Sequence, residues 1–251
     1  MKRIVIVGAS SGIGLYAARA FASMGWRVGT AARDIASLEK LCLEFPENIL
    51  CERLDITSSE APAALGRLAE RLGGMNVYFH VAGIGFDNPG FLPDSDLRTA
   101  ATNVDGFTRM MDAAWAYFAS SGRCGQIAAV TSVAGTMGIG TLASYSASKA
   151  YQQHYLQAMR QRAHTLGLPL KVTDIRPGWV LTSLLPGAHS SYPLAMAPDR
   201  ASRLVVEAVL KGRPVATVDW RWRVVRALWR LLPGPVWTRL RLPDWKLGNH
   251  S

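Results

Sequence analysis

Cysteine is scarce in this chain: three in 251 residues, Cys42, Cys51 and Cys124. An odd number with no C-x-x-C pair or Cys/His cluster excludes a disulfide framework and supports no metal site. A reducing cytosol is the compartment that fits. Long apolar runs are also missing. Four apolar residues, Ile4 to Val7, follow Met1-Lys2-Arg3, but Gly8-Ala9-Ser10-Ser11-Gly12 interrupts them, so no export signal is expected. The longest uncharged stretch, Cys124 to Ser148, is rich in Gly, Ser and Thr, and no membrane-spanning helix is expected there. Acidic residues are few, 18 against 28 Lys plus Arg, giving a net charge of +10. The imbalance is local. From Trp220 to Ser251, Arg221, Arg223, Arg226, Arg230, Arg239, Arg241 and Lys246 face only Asp244, so this segment carries +6 and the body +4. A body so weakly charged does not favour nucleic acid as a partner. With 49% hydrophobic and 18% charged residues, general disorder is excluded, and the length suits one large α/β domain.

What is present is an alternation of short β-branched runs with longer helical patterns. Strands are expected at 3–7, 27–31, 49–54, 77–81, 126–131, 171–175 and 215–218, and helices at 12–24, 35–44, 58–72, 96–118, 144–165 and 199–211. Seven strands and six helices in this order predict a doubly wound α/β fold, a parallel sheet with crossover helices. The stretch from Thr182 to Pro198, with three prolines and no period, reads as a lid or a disordered segment.

Gly8, Ser10, Ser11, Gly12, Ile13 and Gly14 directly follow the first strand and open the first helix. Glycines there let the backbone approach a pyrophosphate, and the helix N-terminus offers unpaired N–H groups to its charge. The same turn also occurs in α/β proteins that bind no nucleotide. Farther on, Tyr145 and Lys149 stand four residues apart at the start of a long helix, on one face. A phenol titrates near ~10, and a neighbouring positive charge stabilises the phenolate, so such a pair can exchange protons at neutral pH. A surface pair is the alternative explanation.

The spacing G-x-x-x-G-x-G together with Y-x-x-x-K resembles the short-chain dehydrogenase/reductase family, over roughly residues 3 to 218. The resemblance implies a Rossmann-like three-layer fold and a catalytic set of Asn103, Ser132, Tyr145 and Lys149. Ser132 lies 13 residues before Tyr145, just past the fifth strand. Hydride would pass between a nicotinamide and a carbonyl carbon, Tyr145 giving the proton and Ser132 orienting the oxygen. Lys149 would lower the Tyr145 pKa and hold the ribose, and Asn103 would keep a water in the proton relay. The implied cofactor contacts are Gly8, Ser10, Ser11, Gly12, Ile13, Gly14, Arg33, Asp55, Ile56, Ala82, Gly83, Tyr145, Lys149, Pro177, Gly178, Val180 and Thr182. Asp55 would receive the adenine amino group; its alternative role is to cap the helix expected from Ser58. Ala32, where relatives that use NAD usually carry an acid, and Arg33 beside it favour NADP(H) over NAD(H). His80-Val81 stands where the family generally has two asparagines, and His80 is expected to be packed rather than catalytic.

By their position in the family pattern, Phe86, Phe91, Met137, Ile139, Trp179, Leu181, Leu184 and Leu185 are expected around the substrate, which makes an apolar ketone, aldehyde or secondary alcohol the favoured class. The alternative is a cofactor-binding, membrane-recruited scaffold without turnover. A homodimer or homotetramer is expected from the resemblance, through the 96–118 and 144–165 helices, where Ala143, Ala147 and Ala150 permit close approach. Residues 1–218 read as the catalytic domain and 219–251 as a basic, Trp/Arg-rich extension. On a helical wheel of 220–232, Val224, Val225, Leu228, Trp229, Leu231 and Leu232 share one side, opposite Arg223, Arg226 and Arg230. Pro233-Gly234-Pro235 ends that helix, and 236–242 could form a second, shorter one. Such a helix packs on the body or a subunit partner, docks on an anionic membrane or, as the least favoured reading, binds nucleic acid; the expected location is cytoplasmic with at most a peripheral contact at the inner membrane face.

Overall fold

Ile4, Val5, Ile6 and Val7 are all buried in the computed structural model, as a strand covered on both faces by helices must be. The structure describes residues 1–182, 185 and 192–242. Seven parallel strands, β1 (Arg3–Val7), β2 (Arg27–Ala32), β3 (Ile49–Arg53), β4 (Val77–His80), β5 (Gly125–Val130), β6 (Leu170–Arg176) and β7 (Val215–Thr217), pair in the order 3-2-1-4-5-6-7. Their bounds fall within one residue of the expected ones. This is a Rossmann-like sheet.

Alternate residues of β1 serve different cores. Ile4 and Ile6 join Phe21, Leu38, Val205 and Val209 from α1 (Gly12–Ser23), α2 (Ile35–Glu44) and α7 (Pro198–Lys211). Val5 and Val7 join Leu65, Leu68, Met110, Met111 and Leu156 on the opposite face, from α3 (Ala61–Arg71), α5 (Phe107–Ser121) and α6 (Ala143–Thr165). Each large side chain so buried contributes roughly 1.5 to 3 kcal/mol.

Three expectations about helices are corrected. The helix expected from Ser58 starts at Ala61, because Asp55 Oδ1 accepts from Thr57 N (3.0 Å) and Ser58 Oγ from Glu60 N (3.1 Å), which holds 55–60 in side-chain turns. Asp55 is therefore not a helix cap. The helix expected over 96–118 is three pieces: α4 (Pro93–Ala100), a π-helical segment (Ala101–Gly106) and α5. The wider π turn turns the amide of Asn103 away from the helix, toward the backbone of Ile84.

The third correction concerns the C-terminal helix, α8 (Trp220–Leu231). Its inward face is Trp222, Val225 and Trp229, whereas Val224, Leu228 and Leu231, expected on the same side, point outward and are 50%, 58% and 79% exposed. Trp222 sets this rotation. It stacks on Gly178, where a Cβ would lie 2.0 Å from the indole, and its Nε1 donates to Leu194 O at 3.2 Å. Arg226 is drawn partly inward, toward Thr217 Oγ1 (3.4 Å). After Pro233 a single turn, α9 (Gly234–Trp237), uses Pro235 in its first turn, in place of the longer 236–242 helix. An isolated parallel bridge pairs Val180 with Met196, whose N–H donates to Trp179 O and whose carbonyl accepts from Leu181 N, both at 3.0 Å. Among the described residues no helix is long and apolar enough to cross a membrane.

Candidate active site

A cavity of about 700 Å³ opens at the C-terminal ends of β1, β4 and β5, where the order of the sheet reverses between β1 and β4. Of the expected contacts, Gly8, Ser10, Ser11, Gly12, Ile13, Arg33, Asp55, Ile56, Ala82, Gly83, Ser132, Tyr145, Lys149, Pro177, Gly178, Val180 and Thr182 line it. Gly14 lies beneath the turn instead: a Cβ there would come within 2.1 Å of Gly8 O. Gly8 has φ +93° and would press a Cβ into Ala82 N, so both positions require glycine. Ser11 makes no side-chain cap, leaving the first N–H groups of α1 to face the cavity. A glycine cradle, an uncapped helix N-terminus and a floor of Val7, Ala32 and Leu54 fit a dinucleotide cofactor.

Arg33 is exposed at the rim, while Asp34 is engaged as the cap of α2, accepting from Ser37 N (3.3 Å) and Ser37 Oγ (2.5 Å). For Asp55, burial works upward on the pKa, but the Thr57 backbone and hydroxyl donors and the nearby Arg33 and Arg53 hold it below the usual carboxylate value.

Asn103, Ser132, Tyr145 and Lys149 come together at the other end, all buried. Asn103 clamps the loop after β4: its Oδ1 accepts from Ile84 N (2.9 Å), and its Nδ2 donates to Ile84 O (2.7 Å) and Ser148 Oγ (3.1 Å). Ser132 lies two residues past β5 and accepts from Ala134 N at 3.1 Å. Burial raises the Tyr145 pKa, and the Ser132 hydroxyl pulls it back. The Lys149 Nζ lies over the Tyr145 ring, 5.6 Å from its centroid. Burial brings Lys149 down to about 8, against the upward pull of Asp174. Asp174 is itself fully buried, paired with Arg176 Nη2 at 2.5 Å and with the Thr131 hydroxyl at 2.6 Å.

His80 is a packed residue. Its Nδ1 is 2.8 Å from the Tyr78 hydroxyl, and burial, aided by the Lys149 charge, pulls its pKa to about 3. Burial likewise raises the pKa of the Tyr78 phenol.

The substrate-side expectations divide. Trp179 and Leu185 line the main cavity, and Leu181 clusters with them beside Tyr145. Met137 and Ile139 line a second cavity of about 560 Å³, shared with Ala143, Ala147, Ala150 and the C-terminal Trp237, Leu240 and Leu242. Phe86 is buried beneath the Arg98 guanidinium and Phe91 is exposed; neither lines either cavity. Leu184 lies outside the described residues. Tyr192, Trp237 and Leu242 pack around Tyr145 without having been expected there. Trp237 is fixed by its Nε1 bond to Gly138 O (2.7 Å). Only the fourth tryptophan of an arginine-rich segment was legible, with nothing to place it.

A doubly wound sheet with a glycine cradle at one end of its cleft and a buried tyrosine–lysine pair at the other defines a nucleotide-dependent oxidoreductase. The family model for short chain dehydrogenase matches residues 2–192, and the chain belongs to the short-chain dehydrogenase/reductase family. It is 29% identical over 241 residues to an uncharacterized oxidoreductase of Myxococcus xanthus, covering 94% of each chain. Two solved structures share the fold. One is a 3-ketoacyl-(acyl-carrier-protein) reductase from Brucella melitensis complexed with NADH (23% identity, TM-score 0.73, covering 87% of this chain and 96% of that one). The other is a short-chain dehydrogenase from Sphingobium yanoikuyae in complex with NADPH (22%, TM-score 0.76, 96% and 97%).

Proposed function

We propose that this oxidoreductase transfers hydride between NADP(H) and an apolar ketone, aldehyde or secondary alcohol. The observation that carries the reading is the convergence of Ser132, Tyr145 and Lys149 at the end of the cavity bordered by Trp179, Val180 and Leu185. A nicotinamide bound there supplies the hydride chemistry. Tyr145 gives its proton to the substrate oxygen, Ser132 hydrogen-bonds the same oxygen, and Lys149 holds the ribose. An apolar wall beside these groups excludes water and favours an uncharged substrate. The scaffold without turnover is not favoured. A panel of ketones and alcohols assayed with NADPH or NADP should give turnover; tight NADPH binding with no turnover across a diverse panel would overturn the reading.

NADPH is proposed over NADH because Arg33 stands at the rim with the small, neutral Ala32 before it, and Asp34 is occupied at the α2 cap. Arg33→Ala should weaken NADPH binding by roughly tenfold or more, through loss of a charge-assisted contact to the 2'-phosphate, and leave NADH nearly unchanged. An unaltered NADPH-to-NADH affinity ratio in parallel titrations would sink the assignment.

We further propose a homodimer or homotetramer through α5 and α6, and a peripheral contact with anionic membrane through α8. Trp220, Val224, Leu228 and Leu231 form an outward apolar stripe. On the wheel, Arg223 and Arg230 flank it on one side and Arg221 on the other, a pattern suited to an interface of acyl chains and anionic headgroups. Co-sedimentation with vesicles should require anionic lipid, weaken with salt, and be lost in Leu228→Glu/Leu231→Glu. Binding indifferent to lipid charge, or retained by that variant, would exclude the contact.

A further inference from the structure

The family resemblance implied that Asn103 keeps a water in the proton relay. Between Asn103 and the ammonium of Lys149 stands a side chain. Gln152, fully buried and three residues beyond Lys149 on α6, accepts from Lys149 Nζ at its Oε1 (3.1 Å) and donates from its Nε2 to the Asn103 carbonyl oxygen (2.9 Å). We propose that Gln152 is a positioning residue that fixes the Lys149 ammonium and ties it to the Asn103 carbonyl. The proposal rests on the site being a carbonyl reductase or alcohol dehydrogenase, as argued above.

The chemistry follows from the difference between an amide and a water. A water donates and accepts interchangeably and passes protons along. An amide has a fixed acceptor and fixed donors. Its oxygen is a far weaker base than an amine, and forwarding a proton would require an imidic acid tautomer. Gln152 can therefore hold but not conduct. In reduction, the Tyr145 O–H bond breaks as the substrate oxygen gains the proton. The phenolate regains a proton from solvent through the cavity, and the Lys149 charge stabilises it meanwhile.

Lys149 needs such a hold. Burial works against its charge, and the groups around it offer little else. Asp174 on β6 acts only at a distance, Tyr145 presents a ring face, and His80 on β4 is kept neutral. The Val130 carbonyl on β5 is 3.5 Å away, farther than the Gln152 oxygen. The opposite end of the amide finds Asn103 because its carbonyl lies in the π segment, out of step with ordinary helical bonding. Gln153 makes a parallel tie, its Nε2 donating to Ser132 O at 2.6 Å, so two successive glutamines fasten α6 to both flanks of the site.

Two variants separate positioning from packing. Gln152→Met keeps the volume and loses both hydrogen bonds; Gln152→Ala leaves room for a water to bridge Lys149 Nζ and Asn103 O. For Gln152→Met, kcat should fall about tenfold. The pH above which reduction slows, set by Lys149, should move down by about one unit. Gln152→Ala, where a water can restore both hydrogen bonds, should lose less activity than Gln152→Met and keep its pH limit nearer the native one. Thermal unfolding should rank them the other way, the cavity-forming Ala being the less stable. The pH dependence of NADPH affinity, read from nicotinamide fluorescence without substrate, should repeat the order seen in catalysis. If no carbonyl compound is turned over by the native protein, the proposed function fails and these affinity midpoints still decide on Gln152. A native profile in Gln152→Met, or equal damage in Gln152→Ala, would overturn the proposal. Should Gln152→Met not fold, Gln152→Glu decides: its carboxylate should move the affinity midpoint up by about one unit, and an unmoved midpoint counts against the role.

Discussion

Tyr145→Phe is expected to lower kcat for carbonyl reduction by about 10²- to 10⁴-fold while NADPH binds as it does to the native protein. The change removes one oxygen and leaves the ring packed among Ala134, Ile139, Leu142, Leu185 and Tyr192, so the pocket keeps its shape. What is lost is the hydroxyl on the ring that Lys149 covers. Ser132 retains its bond from Ala134 N and can still orient an oxygen, but an aliphatic hydroxyl without a neighbouring base is a poor general acid at neutral pH. Steady-state rates set against NADPH titrations test this directly. A variant that keeps more than a tenth of the native rate would move the acid role away from Tyr145. The pH behaviour of the native enzyme follows from the same groups. Reduction needs the phenol protonated, which burial favours, and the ammonium charged, which fails near pH 8. The rate should therefore decline from about that pH upward.

Most of the sheet was legible because parallel strands buried on both faces are continuous β-branched runs, and Ile4 to Val7 could hardly be anything else. The two ends of the site were legible for a similar reason: glycine spacing and a four-residue Tyr–Lys interval are local, and local geometry survives into the fold. What escaped depends on contacts distant in sequence. The π segment at Asn103 carries no composition signal, since its bonds are to Ile84 and, through Gln152, to α6. Gln152 itself was readable only as a polar residue three places from Lys149, hence on the same face of the helix. The rotation of α8 was misjudged because the wheel counted aliphatic residues evenly and left out Trp222, whose seat on Gly178 lies more than forty residues upstream.

That seat has a measurable consequence. Trp222→Ala should lower the free energy of unfolding by about 3 to 5 kcal/mol, a large share of what a domain of this kind possesses. The indole is 4% exposed and belongs to the same core cluster as Ile4, Phe21 and Val205, so its loss opens a cavity in the body and also leaves Leu194 O without its donor. The damage should reach the site as well. Gly178 lines the cofactor cavity, and α8 carries Trp229, which packs edge-to-face against Trp237 at 5.5 Å between centroids. Trp237 in turn fixes Gly138 near Tyr145. Trp222→Phe should restore part of the packing and none of the hydrogen bond, and fall between the two. Denaturant unfolding followed separately by tryptophan fluorescence and by NADPH binding tests whether the extension is part of the domain. A single transition, shifted together in both signals, is expected. If Trp222→Ala instead splits the unfolding into two steps, with NADPH binding surviving the first, the extension is a module that rests on the body without supporting it.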